Sequence, residues 1–301
     1  MVKAKHSTDR GIALISVMII VALIASTVAV MLNTQHRTFG HTKATVEHQQ
    51  ALQHLFSVET WVLSMLKDDE TKVDDLTENW AMEIPPIPVP NGVLQGRLID
   101  LQSRLNLNSI INIDSASGLV TFNSEFLQSA NRLSQSLDLI PLGDTVYGLA
   151  STQSSQPELF KHSHILLQQN VFTPSEFLSL KSLITVLPEK TPININTASQ
   201  KMLMSLHPNL DEYTVQDLMD TRKNAPFQTL DDFYQALHTR MSYLTLDQLK
   251  KDIPSTLIDI KTEYFLLEST IQYGESTLIG HSVLQRKNGH ITLLNRQFYH
   301  P

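Results

Sequence analysis

The chain has 301 residues, room for an apolar anchor and about two folded units. It has no cysteine, which excludes disulfides, thiolate metal centres and a thiol nucleophile. Its 30 acidic residues outnumber 23 basic ones, and the resulting charge of −7 argues against a phosphate-backbone partner.

In chain order, Met1 to Gly11 carries Lys3, Lys5 and Arg10, and Ile12 to Leu32 is then apolar apart from Ser16, Ser26 and Thr27. At about 1.5 Å rise per residue this stretch matches a hydrocarbon core of roughly 30 Å, so residues 12–32 are read as a membrane-spanning helix. The cationic leader favours a cytoplasmic N-terminus, with Arg37 and Lys43 weakening the bias. Helix breakers are nearly absent up to Pro85, and Leu52, Leu55, Phe56, Val62, Leu63 and Leu66 repeat at three and four residues. The helix is therefore predicted to continue to about Leu66 and to pack its second half on a sheet. The acidic run Asp68 to Asp75 ends it, and Pro85, Pro86, Pro88 and Pro90 predict a stiff extended connector.

From Gly92 the pattern becomes strand-like, with Val93, Gln95, Arg97, Ile99 and Leu101 on one face and Leu94 and Leu98 on the other. Residues 263–273, 277–286 and 290–298 are also β-rich, and Gly274-Glu275-Ser276 and Lys287-Asn288-Gly289 separate them as hairpin turns. The middle is helical. Thr173, Thr197, Thr229 and Thr245 each open a capping-box pattern, and Phe122, Phe126, Leu127, Ala130, Leu133 and Leu137 form a further stripe. Strands at both ends of a helical middle predict one sheet interrupted by an insertion.

Gly11 lies before the apolar segment, and Arg10-Gly11-Ile12-Ala13-Leu14-Ile15 resembles the prepilin leader of type IV pilins and type II secretion pseudopilins. The resemblance implies cleavage between Gly11 and Ile12 by a prepilin peptidase, N-methylation of Ile12, and a mature chain of charge −9 after loss of a +2 leader. Two positions depart from that family: Ile12 stands where phenylalanine is usual, and Ser16 where glutamate is usual. A carboxylate in lipid is costly without a partner charge, and a tip subunit has no neighbour to supply one. A hydroxyl that bonds back to its own helix avoids the cost. Ser16 therefore marks the position of a tip-specific missing glutamate. An ordinary single-pass anchor with a chance glycine stays open on the N-terminus alone.

Asp100 to Asn108 resembles a signature of the K minor pseudopilins of type II secretion, and Pro192-Ile193-Asn194-Ile195-Asn196-Thr197-Ala198 begins a stretch similar to their helix-hairpin-helix module. The resemblance implies an α+β fold: a pilin-like long N-terminal helix on an antiparallel sheet, with a large helical domain of helix-hairpin-helix/SAM-like type inserted. The expected division is leader 1–11, transmembrane helix 12–32, extracytoplasmic helix 33–66, pilin-like domain 67–109 and 257–301, and inserted domain 110–256 containing the module 192–240. The implied role is a tip subunit working with the I- and J-type minor pseudopilins above the major pseudopilin filament, anchored in the inner membrane with the bulk of the chain in the periplasm.

DNA-uptake proteins share the module, so a membrane-anchored DNA-binding protein is the alternative. The hairpin His207-Pro208-Asn209-Leu210-Asp211-Glu212 disfavours it: it has no glycine, its proline lacks an amide hydrogen, and its two carboxylates repel phosphate. Larger K pseudopilins carry an aspartate-rich segment associated with calcium. Here Asp114, Asp138, Asp144 and Glu158 are too scattered for a six- to eight-oxygen cage by local spacing, so that calcium site is not matched. No hydrolase, zinc-protease or phosphate-loop motif is present, and His162 and His164 lie two apart, on different sides of a helix, so no enzyme is expected.

Overall fold

The computed structural model describes residues 8–69, 72–114, 116–152, 157–168 and 171–300. Lys3 and Lys5 of the leader lie outside the described residues. The first element, α1 (Thr8–Lys67), is one uninterrupted helix of 60 residues, about 90 Å long. Its apolar first half touches nothing and is long and apolar enough to cross a bilayer. Ala51, Leu55, Val58, Val62 and Leu66 then form the buried stripe of its second half.

That stripe lies on a five-stranded sheet of order β1-β2-β9-β10-β11. The strands are β1 (Ile84–Val89), β2 (Gly92–Asp100), β9 (Tyr264–Tyr273), β10 (Ser276–Lys287) and β11 (His290–Tyr299), all antiparallel. Leu94 and Leu98 of β2 and Phe265, Leu267 and Ile271 of β9 face the helix, while Val93, Gln95 and Arg97 face away. Of the prolines expected in a stiff extended connector, Pro85, Pro86 and Pro88 are instead built into β1, and Pro90 follows in the turn. Ile87, Pro88 and Val89 pair with Leu94, Val93 and Gly92. An edge strand donates on one side only, so prolines fit there and also deter a further strand from joining.

Glu59 fixes α1 on the sheet. It is buried and accepts from Ser282 Oγ (2.7 Å) and from both Nε (2.9 Å) and a terminal nitrogen of Arg296, whose guanidinium lies 4.7 Å over the Phe56 ring. Burial alone would raise its pKa, but the bonds from Arg296 and Ser282 and the Arg296 charge hold it below the ordinary value.

Between β2 and β9 the chain leaves the sheet. The inserted part contains β3 (Leu105–Asn106), β4 (Ile111–Ile113), β5 (Val120–Phe122), α2 (Ser124–Gln135), α3 (Leu142–Ser151), α4 (Ile165–Gln168), α5 (Pro174–Lys181), β6 (Ile184–Thr185) and β7 (Ile193–Asn194). It continues through α6 (Gln200–Ser205), α7 (Glu212–Asn224), α8 (Leu230–Arg240), α9 (Leu246–Asp252) and β8 (Ile258–Asp259). Its core is separate from that under α1 and includes Leu105, Leu107, Phe126, Leu133, Phe177, Met202, Leu218, Phe233 and Leu249. Two short parallel pairs close it, β3 with β6 and β7 with β8.

Thr173, Thr229 and Thr245 cap α5, α8 and α9 with full capping boxes. The fourth expected box fails. Ser199 caps α6, because the Thr197 hydroxyl donates instead to buried Asp100 at 2.5 Å. Phe122 lies in β5 and is exposed, ahead of the helical stripe it was expected to join.

Candidate functional site

The residues singled out at the N-terminus lie in α1, with Gly11 inside the continuous helix. Ile12 is exposed, and Ser16 Oγ donates to Ile12 O at 3.0 Å. Ser26, Thr27, Thr34 and Thr38 likewise bond back to carbonyls three or four residues earlier, so the polar groups of the apolar half are satisfied within the helix. From Ile12 to Leu32 this surface offers lipid or another helix apolar side chains and hydroxyls already bonded within the helix.

The segment beginning at Pro192 builds a second candidate surface. Asn196 clamps the backbone of Phe227, with Nδ2 donating to its carbonyl and Oδ1 accepting its N–H, both at 3.0 Å. Arg222, buried on α7, donates to Ile195 O and Ala198 O, each at 2.6 Å. With no carboxylate paired to it among the described residues, burial pushes the guanidinium pKa down to about 10. The hairpin between α6 and α7 is knitted by its own side chains: Asn209 N donates to His207 Nδ1 (3.1 Å) and Thr214 N to Asp211 Oδ1 (2.8 Å). A phosphate would find these two amides engaged and the Asp211 and Glu212 carboxylates in front of it.

A profile of the family described as type II secretion system (T2SS), protein K, matches residues 193–259. A type II secretion system protein K from Pseudomonas aeruginosa is 26% identical over 319 residues, covering 96% of this chain and 92% of the relative. One from Aeromonas hydrophila is 36% identical over 106 residues, or 33% of this chain and 31% of that one. The fold is similar to that of a chain in the crystal structure of the GspK-GspI-GspJ complex from enterotoxigenic Escherichia coli, with a TM-score of 0.68, 22% identity, and coverage of 87% of this chain and 100% of that one.

The chain is similar to type II secretion system protein K along nearly its whole length. Both relatives are secretion proteins, and nothing in them supports the DNA-binding alternative.

Three of the four carboxylates weighed for the family's calcium site, Asp114, Asp144 and Glu158, are occupied locally. Asp114 accepts from the amides of Ala116 (2.7 Å) and Ser117 (3.2 Å), Asp144 from Asn131 Nδ2 (2.9 Å), and Glu158 pairs with Lys161 (3.2 Å). Among the described residues, the acidic group whose oxygens lie within 4.8 Å of one another is a different one, Asp69, Asp74 and Glu78. Arg286 donates to Asp69 (2.6 Å) and to Asp74, so a guanidinium already supplies positive charge there.

Sequence reasoning missed this junction, where the two halves of the molecule meet. Asp74 also accepts from Thr262 N (2.8 Å), and its carbonyl accepts from Asn194 Nδ2 (3.0 Å). The same amide donates to Asp100 Oδ2 (3.0 Å). Burial pushes the Asp100 pKa up, against the bonds from Thr197, Thr262, Gln102 and Asn194. One signal was visible in the chain: the Asn-x-Asn pattern occurs at both Asn106-Leu107-Asn108 and Asn194-Ile195-Asn196. Arg286 gave no such signal, because its carboxylate partners lie more than 200 residues away.

Proposed function

We propose that the chain is a minor pseudopilin at the tip of a type II secretion pseudopilus, supporting protein export across the outer membrane. In this reading it joins the I- and J-type minor pseudopilins. The leader is cut between Gly11 and Ile12 on the cytoplasmic side by a prepilin peptidase, Ile12 becomes the methylated N-terminus, and the folded part lies in the periplasm. The role is structural, with no catalysis assigned.

The observation that carries the reading is the N-terminal helix itself: an apolar half with no buried face, continuous with a half packed on a sheet. Such a helix is complete only when other apolar helices and lipid surround it. The self-satisfied Ser16 hydroxyl supports the tip position, since it needs no amine from a subunit above. The inserted domain would block any further subunit from adding.

The test is processing. Gly11→Ala is expected to leave an uncleaved precursor in cells that hold the peptidase, read by N-terminal sequencing of membrane-extracted protein. Normal removal of residues 1–11 from that variant, or a wild-type chain that keeps Met1, would overturn the assignment.

A further inference from the structure

Arg104 is an arginine whose nearby acids are already engaged. It ends the turn after β2, immediately before Leu105, whose N–H donates to Leu183 O at 2.9 Å, and is half-buried between the outer face of the sheet and the inserted domain. The acids that act on it are Glu268 and Asp100. Glu268 is held by Arg97, its Oε2 accepting from Nε (2.9 Å) and from Nη2 (2.8 Å). Asp100 points the other way and accepts from Gln102 N (2.6 Å), Asn194 and Thr197. Among the described residues, Arg104 has no carboxylate within 4.0 Å and no side-chain hydrogen bond.

Lys181 ends the helix α5, two residues before Leu183, whose carbonyl accepts from the N–H of the residue after Arg104, and its charge acts on His281 beside Glu268. It is exposed and makes no ion pair among the described residues. His281 is half-buried on β10 beside Glu268 (3.8 Å), with Tyr299 Oη at 2.8 Å from its Nε2. Burial, opposed by Glu268 and reinforced by Lys181, holds the imidazole pKa below its usual value. Burial also lowers the Arg104 pKa, yet a guanidinium stays charged at any physiological pH.

A partly desolvated charge without a counter-ion is costly, and proteins keep such groups where a partner supplies the opposite charge. Arginine is enriched among the residues that dominate interfaces, and its planar fork pairs with a carboxylate through two bonds. Arg97, Arg104 and Lys181 against Glu268 alone make this corner positive on a chain of charge −7. Glu268 at its centre repels multiply charged phosphates and leaves room for a single carboxylate.

We infer that the corner formed by Arg104, Lys181 and Arg97, on the outer sheet face under the inserted domain, is a docking site for an aspartate or glutamate side chain of a partner polypeptide. The inference rests on the proposed function for the partner's identity, which is taken as the I- and J-type pair.

The test measures binding of that pair to the full-length chain in detergent. Lys181→Glu and Arg104→Met are each expected to weaken binding about tenfold or more, Arg104→Lys to keep most of it, and an acidic-to-lysine change on the partner to restore binding to Lys181→Glu. If Arg104→Met melts early, Lys181→Glu carries the test alone, since its side chain holds nothing in the fold. Unchanged affinity in a variant that remains folded would overturn the inference. So would loss, in the same variants, of binding to phosphatidylglycerol vesicles with the protein pair unaffected, which assigns the corner to lipid phosphate. A wild-type chain that fails to bind the pair would overturn the proposed function itself, and is recognisable because no variant is needed to see it.

Discussion

At the scale of residues, asparagine holds the inserted domain together. Asn108 clamps Phe160, donating to its carbonyl and accepting its N–H, both at 2.9 Å, as Asn196 clamps Phe227. In both motifs the first asparagine accepts the N–H of the second, at 3.1 Å from Asn106 and 3.0 Å from Asn194. A side-chain amide here stands in for a strand, satisfying a backbone donor and acceptor that burial would otherwise leave bare. Asn196→Ala exposes both deficits and is expected to cost about 2–4 kcal/mol, read from chemical denaturation. Glu78 is a second residue with a defined consequence. It accepts from Trp80 Nε1 (2.6 Å) and Asp75 N (3.0 Å), but burial, reinforced by Asp69 and Asp74, pushes its pKa from 4.5 up to about 7. The folded state therefore holds the proton more tightly than the unfolded one. The stability Glu78 contributes is complete below about 4.5 and lost as pH rises through about 7. His207 and His281, with lowered pKa values, change stability in the opposite sense near neutrality, so the measurement is a difference. Thermal melting of wild type and Glu78→Gln from pH 5 to 8 should show the variant lacking the component that declines toward pH 8. Parallel curves would show that Glu78 is not protonated in the folded protein.

At the scale of elements, legibility followed how local the cause was. The helix α1 was readable because its apolar run and its three-and-four stripe are properties of neighbouring residues, and the hairpins because Gly274, Asn288 and Gly289 adopt positive φ at the turns where they were expected. The identity of β1 was not readable, since proline removes the donors by which strands are recognised and only the presence of β2 gives the segment a ladder to join. Nor was the failed cap at Thr197, whose hydroxyl is taken by an aspartate 97 residues earlier. Two glycines test the packing of elements. A methyl group at Gly143 would lie 2.3 Å from Leu127 O, so α2 and α3 meet only because a hydrogen stands there, whereas one at Gly40 meets nothing within 4 Å. Gly143→Ala is expected to lower the melting temperature by several degrees. Gly40→Ala should leave it unchanged or raise it slightly, in line with about 1 kcal/mol of added helix preference. Similar effects of the two substitutions would contradict this packing.

At the scale of the whole molecule, two cores are joined by a narrow polar junction and a small apolar seam of Leu101, Leu187 and Tyr264 with Leu266 and Val283. Arg286 is the central tie, buried, bonded to Asp69, Asp74 and Thr262 O, and lying 4.9 Å over the Phe265 ring. Arg286→Ala leaves Asp74 buried without its counter-ion and is expected to cost about 3–5 kcal/mol. Limited proteolysis should then cut first between the sheet and the inserted domain; unchanged cleavage would place the tie elsewhere. By itself the sequence determined the membrane-length helix and the interruption of a sheet by helices, because each depends on composition or on periodicity over a few turns, and its local motifs carried the resemblance to the protein K family. Only the tertiary structure decided that the proline run is an edge strand, that Asp74, Asp100, Asn194 and Arg286 weld the insertion to the sheet, and that Arg104 is left without a counter-charge. Those outcomes depend on groups far apart in the chain, which local spacing does not encode.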